Sequence, residues 1–318
     1  MVLGESSSRV SKYNFHEHTL SVVMPVRFPS EHVTNLIKVA SECHESGIEL
    51  IVVMDTAPSF SIDFSLRNQL EELGAKVLIG AFGNPGDARN LGISNSSKEW
   101  LMFWDVDDEP NIGRIEIAIH NFPRGIDLAI GGFSVSHVRN SPKLTVVENG
   151  ELVNENQVAW DPGIWRMVFR RQFIQNIFFP SLRLGEDLVF ICRTLLKHPK
   201  VIFVQESLYT YRKGNLNQVT IASSNMEKAS NQYKALIALA HLDYVLHENC
   251  EMCELVRRIE WKLGLSFLSR LGVVGLIVYP ISFREKYFLL STLWKLGSGR
   301  NWKYACELYE KQKRSSYK

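Results

Sequence analysis

Several things are missing from this 318-residue chain, and each absence removes a class of answer. A helix needs roughly 20 apolar residues to cross a bilayer. The longest uncharged run near the C-terminus, LGVVGLIVYPISF at 271–283, has 13 residues between Arg270 and Arg284. The opening MVLGESSSRVSKYNFHEH has no apolar h-region, so a secretory signal is not expected. Charge of one sign is also missing. Thirty-six Lys and Arg against 34 Asp and Glu leave +2, with no basic excess to neutralise phosphates, so no nucleic-acid partner is expected. Cysteine is scarce. Five scattered residues (Cys43, Cys192, Cys250, Cys253, Cys306), an odd number, argue against a disulfide framework and suit a reducing cytosol. Cys250 and Cys253 form one CxxC with no second pair, which reads more economically as two helix positions than as a metal or redox site. There is no internal repeat and no low-complexity tract.

What is present is the composition of a protein with a sizeable core, 45% hydrophobic and 22% charged, enough for one large domain with an accessory piece. The chain is expected to be cytoplasmic, at most peripheral at the inner face of the membrane. Residues 1–18 read as a polar leader. From Leu20 a rhythm sets in. Strand-like runs LSVVMPV (20–26), IELIVVMD (48–55), KVLIG (76–80), EWLMFWD (99–105) and IDLAIGGFSV (126–135) alternate with helical spacings at 31–46, 63–73, 85–96 and 112–122. Buried strands alternating with helices predict an α/β fold, a mostly parallel sheet covered on both faces. After about 135 the alternation stops. PKLTVVENGELV reads as a hairpin about Asn149-Gly150, 160–180 as an aromatic, basic segment, and GEDLVFICRTLLKH as a helix. KVIFVQ and SLYTYR read as two short strands, and residues 223 onward as helical. The expected plan is an α/β domain over 19–220 and a helical C-terminal extension over 221–318.

In open α/β sheets ligands bind beyond the carboxyl ends of the strands. Three polar stretches fall there: Asp55, Asn84–Asn90, and the four acids Asp105, Asp107, Asp108 and Glu109, set directly against Phe103 and Trp104. Acids so crowded suit a divalent cation with a diphosphate, since hard oxygens favour Mg²⁺ or Mn²⁺. The competing reading is a loop of solvated acids capping a helix that begins near Asn111. GNPGDARNLGI (83–93) is a Gly/Pro turn into a helix, where Arg89 either meets an anion or pairs with Asp87. Glu186 and Asp187 open an apolar helix, either as caps or with Asp187 within reach of a substrate hydroxyl. Trp160 and Trp165 are either acceptor contacts or core.

LSVVMPV, IELIVVMD, GNPGDARNLGI, FWDVDDEP and GEDLVF, in that order and spacing, resemble an inverting family 2 glycosyltransferase of GT-A fold, over about residues 19–215. The resemblance implies a Rossmann-like sheet and a metal-assisted hexosyl transfer from a nucleotide-sugar donor, a UDP-sugar, to a glycan or polyprenyl-linked acceptor, as in polysaccharide biosynthesis. It places Pro25, Val26, Asp55 and Arg89 at the nucleoside, and Asp105 and Asp107 as the DxD pair, Asp105 towards ribose and Asp107 towards Mg²⁺ or Mn²⁺. Asp187 would be the general base, and Arg212, after Tyr211, would lie near the diphosphate. Two stretches depart from the family: Arg27-Phe28-Pro29 stands where Tyr-Asn-Glu is usual, and Asp55-Thr56-Ala57 where Asp-Asp-Gly-Ser is usual. No Gln-x-x-Arg-Trp signature is present, so single addition is expected. The alternatives are a nucleotidyltransferase, disfavoured by the absence of glycine in VRFPSEH, and a non-catalytic nucleotide-sugar-binding protein of the same fold. The tail 284–318, with nine Lys/Arg against three Asp/Glu and with Trp294 and Trp302, is either a solvated face or a contact with anionic lipid.

Overall fold

A computed structural model describes residues 19–56, 64–137, 145–146, 158–159, 161–213, 224–240 and 251–278. The first half follows the predicted rhythm: β1 (Leu20–Val26), α1 (Val33–Glu45), β2 (Glu49–Asp55), α2 (Phe64–Glu72), β3 (Lys76–Gly80), α3 (Pro85–Asn95) and β4 (Trp100–Phe103). Then come β5 (Glu109–Pro110), α4 (Ile112–His120), β6 (Leu128–His137), β7 (Thr145–Val146), β8 (Met167–Arg170), α5 (Arg171–Ile174), α6 (Glu186–Leu195), β9 (Val201–Lys213), α7 (Asn225–Ala240) and α8 (Glu251–Val278). Among the described residues these strands form one sheet in the order β3-β2-β1-β4-β8-β6-β9-β5, with β7 beside β6.

The apolar runs of β1 and β2 are continuous because both faces are covered. Leu20, Val22, Met24 and Val26 pack into one core, and Val23 with Ile51 and Val53 into the other. β1 pairs in parallel with β2 on one side and β4 on the other. The chain therefore runs outward through β2 and β3, then returns to add β4 across β1, which puts the switch point between β1 and β4. Pro25 is tolerated in this central strand for a specific reason. The Val23 carbonyl accepts from Trp104 N–H, so Val23 faces β4, and Pro25, two residues on, faces the same side after the β4 ladder has ended.

Past β4 the sheet is mixed. β8 runs antiparallel to both β4 and β6, and β9 is parallel to β6 but antiparallel to β5. The sequence hid β8 because four residues, MVFR, are too few to show a period, and the arginines that follow look superficial. In the fold those arginines pin the strand's end: Arg170 Nε donates to Ile126 O and Arg171 Nε to Lys98 O, both at 2.7 Å. The two short strands predicted at 200–212 are one. The polar Gln205-Glu206 between them is an irregularity opposite Gly131 and Gly132, where a Cβ on Gly132 would lie 2.9 Å from Gln205 O. The Asn149-Gly150 turn, Trp160, Cys250 and the tail beyond 278 lie outside the described residues; Cys43, Cys192 and Cys253 are buried. α7 and α8 pack on α6: Ala235, Leu239, Val256, Ile259 and Phe267 share one core with Val189, Phe190 and Leu195. Among the described residues no helix is long and apolar enough to cross a membrane.

Candidate active site

Nearly every residue of GNPGDARNLGI has an assignable role. Asn84 caps α3 by accepting from Asp87 N–H at 2.9 Å, and Pro85 occupies the first turn, where no N–H is needed. Gly86 lets the backbone of 179–182 approach: a Cβ there would sit 2.5 Å from Pro180 O. Asp87 accepts from Ser181 Oγ, and Asn90 clasps Phe179 through both N–H (2.8 Å) and carbonyl (2.9 Å). Gly92 presses on β1, since a Cβ would lie 2.3 Å from Val23 Cγ1. So α3 holds the segment that leads to Glu186-Asp187 against the strand that ends at the switch point.

Arg89 is the centre of the site. It is buried, and it does not pair with Asp87. Its Nη1 donates to Glu186 Oε1 at 2.6 Å, its Nη2 to Asp105 Oδ1 at 3.1 Å, and its guanidinium lies over the Phe179 ring at 5.5 Å. One cation thus joins the acids after β4 to the acids at the head of α6, and Glu186 lies 97 residues from Arg89 in sequence. Gly185, at φ +85°, turns the chain into α6 without a side-chain cap. Glu186 is therefore free to reach Arg89, and Asp187 Oδ1 accepts from the adjacent Leu188 N–H.

Loss of water dominates the electrostatics. Burial, then Asp187, pushes the Glu186 carboxyl up to about 7 against the pull of Arg89. Burial likewise raises Asp105, where Arg89 opposes and Asp107 and Asp187 add repulsion. Asp187 is raised by burial and held down by Arg89, its backbone bonds and Lys262 of α8. Asp108 lies deepest. Burial and Asp105 push it to about 9, Tyr209 and the backbone of Arg212 oppose the rise, and its Oδ1 accepts from Arg212 N–H at 2.7 Å. The acids do not cap α4, because Asn111 Oδ1 does so through Arg114 N–H. Instead the loop is strapped from several sides: Asn35 donates to Val106 O, Asp105 N–H to Tyr209 Oη at 2.9 Å, and Arg212 pairs with Glu109.

Asp105, Asp107, Asp187 and Arg89, predicted far apart in sequence, are one electrostatic cluster. Val26 is buried at the end of β1 beside the partly buried Pro25. Asp55 reaches the same rim, but both its oxygens accept from the loop after β3: Oδ1 from Phe82 N–H (2.8 Å), and both from Gly83 N–H. Arg212 is on the rim with its guanidinium engaged by Glu109. Trp165 is stacked on Tyr209 and Tyr211 and sits edge-on to Phe133, within the sheet's aromatic layer. Sequence reasoning missed Glu186 as Arg89's partner, Tyr209 and Lys262. An acid one position before an expected base gave a faint signal for the first; nothing in the sequence marked the other two.

The acid surplus fits a divalent cation. All available donors are hard oxygens, and Asp105, Asp107 and Asp108 repel one another where burial has removed water. Among the described residues no three His, Cys, Asp or Glu side chains form a closed metal cage. Two carboxylates with the remaining positions left to phosphate and water is the arrangement Mg²⁺ or Mn²⁺ tolerates.

The sequence profile of Glycosyl transferase family 2 matches residues 21–174, from β1 through α5. Those residues form a family 2 glycosyltransferase domain. That match includes Arg89, Asp105 and Asp107, while Asp187 lies beyond it, and it sets aside the nucleotidyltransferase alternative. The glycosyltransferase is 22% identical over 240 residues to the "uncharacterized glycosyltransferase EpsJ" of Bacillus subtilis (strain 168), covering 69% of each chain. Its fold is similar to that of S. aureus TarS 1–349 in complex with UDP-GlcNAc (TM-score 0.61, 16% identity, 87% of this chain and 80% of that one). It is similar also to the mannosyltransferase PcManGT of Pyrobaculum calidifontis in complex with GDP-Man and Mn²⁺ (TM-score 0.54, 10% identity, 91% and 83%). At such identities the likeness is one of fold: a curled mixed sheet of GT-A type between helices.

Proposed function

We propose that this glycosyltransferase moves a sugar from a UDP-sugar to a hydroxyl of a glycan or polyprenyl-linked acceptor, with inversion at the anomeric carbon. The observation that carries the reading is the Arg89 bridge between Asp105 and Glu186, which brings the donor-side acids and Asp187 to one point at the switch of the sheet. The solved neighbours of this fold that hold UDP-GlcNAc, or GDP-Man with Mn²⁺, support a nucleotide-sugar donor and a divalent metal.

Asp107 and Asp105 would hold Mg²⁺ or Mn²⁺, which supplies positive charge to the departing diphosphate. Pro25, Val26 and Asp55 border the nucleoside, and Asp55 acts there through the Phe82-Gly83 backbone it holds. Arg89 keeps Asp105 directed to the donor, and Arg212 offers a further cation at the diphosphate. Asp187 accepts the acceptor hydroxyl's proton while the hydroxyl oxygen bonds to C1 of the sugar. The C1–O bond to the diphosphate breaks, and its electron pair leaves with the nucleoside diphosphate. One displacement inverts the centre. A base whose affinity for protons is raised by burial accepts that proton more readily, and Arg89, the backbone bonds and Lys262 oppose the rise. The basic tail at 284–318 is assigned to an anionic membrane surface that presents a lipid-linked acceptor.

Replacing Asp187 by Asn should lower transfer by about 10²–10⁴-fold while nucleotide binding with Mn²⁺ stays unchanged. Single-turnover transfer assays beside calorimetric titration of UDP check it. Normal transfer by Asp187→Asn would overturn the assignment of the base.

A further inference from the structure

At the nucleoside end of the site, the acid that ends β2 is already engaged. Both oxygens of Asp55 are engaged by the Phe82 and Gly83 N–H groups, so the carboxylate fixes a loop. A base N–H that sought it would compete with two backbone donors. Directly across the strand pair stands a donor instead. The last paired position of β1 and β2 is Val26 with Met54, and one step further come Arg27 and Asp55. By the alternation of β1, Arg27 follows Val23 onto the face covered by α3, the face that carries Arg89. Its guanidinium lies over the Phe28 ring at 5.2 Å. It makes no ion pair among the described residues, and its Nε is enclosed without a hydrogen-bond partner. An arginine with no ion pair among the described residues and an unmet Nε donor, at the switch point of an α/β sheet, is placed for an acceptor that arrives with the ligand.

On the reading of this chain as a nucleotide-sugar transferase, we infer that Arg27 is the base-reading residue of the donor site: its guanidinium donates to a carbonyl oxygen of the nucleobase. The donor is therefore a nucleotide whose base presents carbonyl oxygens, such as uracil or guanine, and discrimination falls on those oxygens and not on a ring N–H. The diphosphate belongs to the β4 side, with Asp105 and Asp107, which leaves Arg27 to the nucleoside. A planar guanidinium offers paired donors that an ammonium lacks, so lysine is a poor substitute.

The test is calorimetric titration of UDP, GDP, ADP and inorganic pyrophosphate, each with Mn²⁺, into the full chain and into Arg27→Met and Arg27→Lys. Methionine keeps an apolar stem on Phe28, and melting temperatures of all three proteins check that they are folded. In the unaltered chain UDP or GDP should bind at least tenfold more tightly than ADP, whose base has no carbonyl. Arg27→Met should abolish that preference, Arg27→Lys should restore little of it, and pyrophosphate affinity should not move. If the preference survives in Arg27→Met, or if pyrophosphate affinity falls as much as that of UDP, the inference is wrong and Arg27 is inert or a phosphate ligand. If no nucleoside diphosphate binds the unaltered chain, the transferase reading itself fails, which is a separate result.

Discussion

The tension at the level of single residues is between burial and charge, and Glu186 shows it most plainly. Its carboxyl ordinarily titrates near 4.5 and is pushed to about 7 in the fold, so the folded state holds a proton that the unfolded state has released across that window. The sign follows: the native chain loses stability as pH rises from about 4.5 to 7, and the loss is complete above it. Glu186→Gln removes this penalty, while Arg89 keeps Asp105 and its contact with Phe179. Without metal or nucleotide, that variant should match the unaltered chain near pH 4.5 and exceed it at pH 7.5 by on the order of 1–3 kcal/mol. Urea unfolding at both pH values measures the difference. A less stable variant at pH 7.5 would mean that the Arg89–Glu186 attraction outweighs desolvation. At this scale the sequence was partly readable. Asp105, Asp107 and Arg89 stood out because polar groups against buried strands need a reason. Tyr209 and Lys262 did not, because a tyrosine in a strand and a lysine in a helix look the same whatever they face.

At the level of elements, α3 transmits strand geometry to the catalytic acids. Its glycines are contact surfaces, and Gly92 lies on Val23 where no Cβ fits. Gly92→Ala should cost about 1–3 kcal/mol through overpacking and should lower transfer more than nucleotide binding, because the displaced helix carries the Arg89 bridge. Thermal unfolding and steady-state transfer rates check both halves. Equal stability would show that α3 shifts freely. Strands with both faces buried and helices with clear spacing were legible, which is why β1 to β4 and α4 match expectation, while the two-residue β5 does not figure in it. β8 was not, because a four-residue strand pinned by arginines has no period to read. The fusion of two expected strands into β9 was hidden for a different reason: opposite the polar break lie Gly131 and Gly132, whose missing side chains make room for the bulge.

For the molecule as a whole, the second half of the chain completes what the first half starts. The parallel layer supplies a rim, β8 and β9 extend it, and α7 and α8 cover the helix that begins with Glu186 and Asp187. The reversal of strand order at β1 and β4 was implicit in the sequence only as the clustering of polar residues after apolar runs. The meeting of residues 89, 105 and 186 is a property of the closed fold and cannot be read from spacing. The central claim is that the acids after β4 hold a divalent cation on the diphosphate of a nucleotide sugar. Its most direct test is calorimetric titration of UDP into the chain with Mn²⁺ and with EDTA, repeated on the double variant Asp105→Asn, Asp107→Asn. The account predicts binding that falls at least tenfold in EDTA and becomes insensitive to Mn²⁺ in the double variant; UDP affinity that is the same with Mn²⁺, with EDTA and in the variant would contradict it.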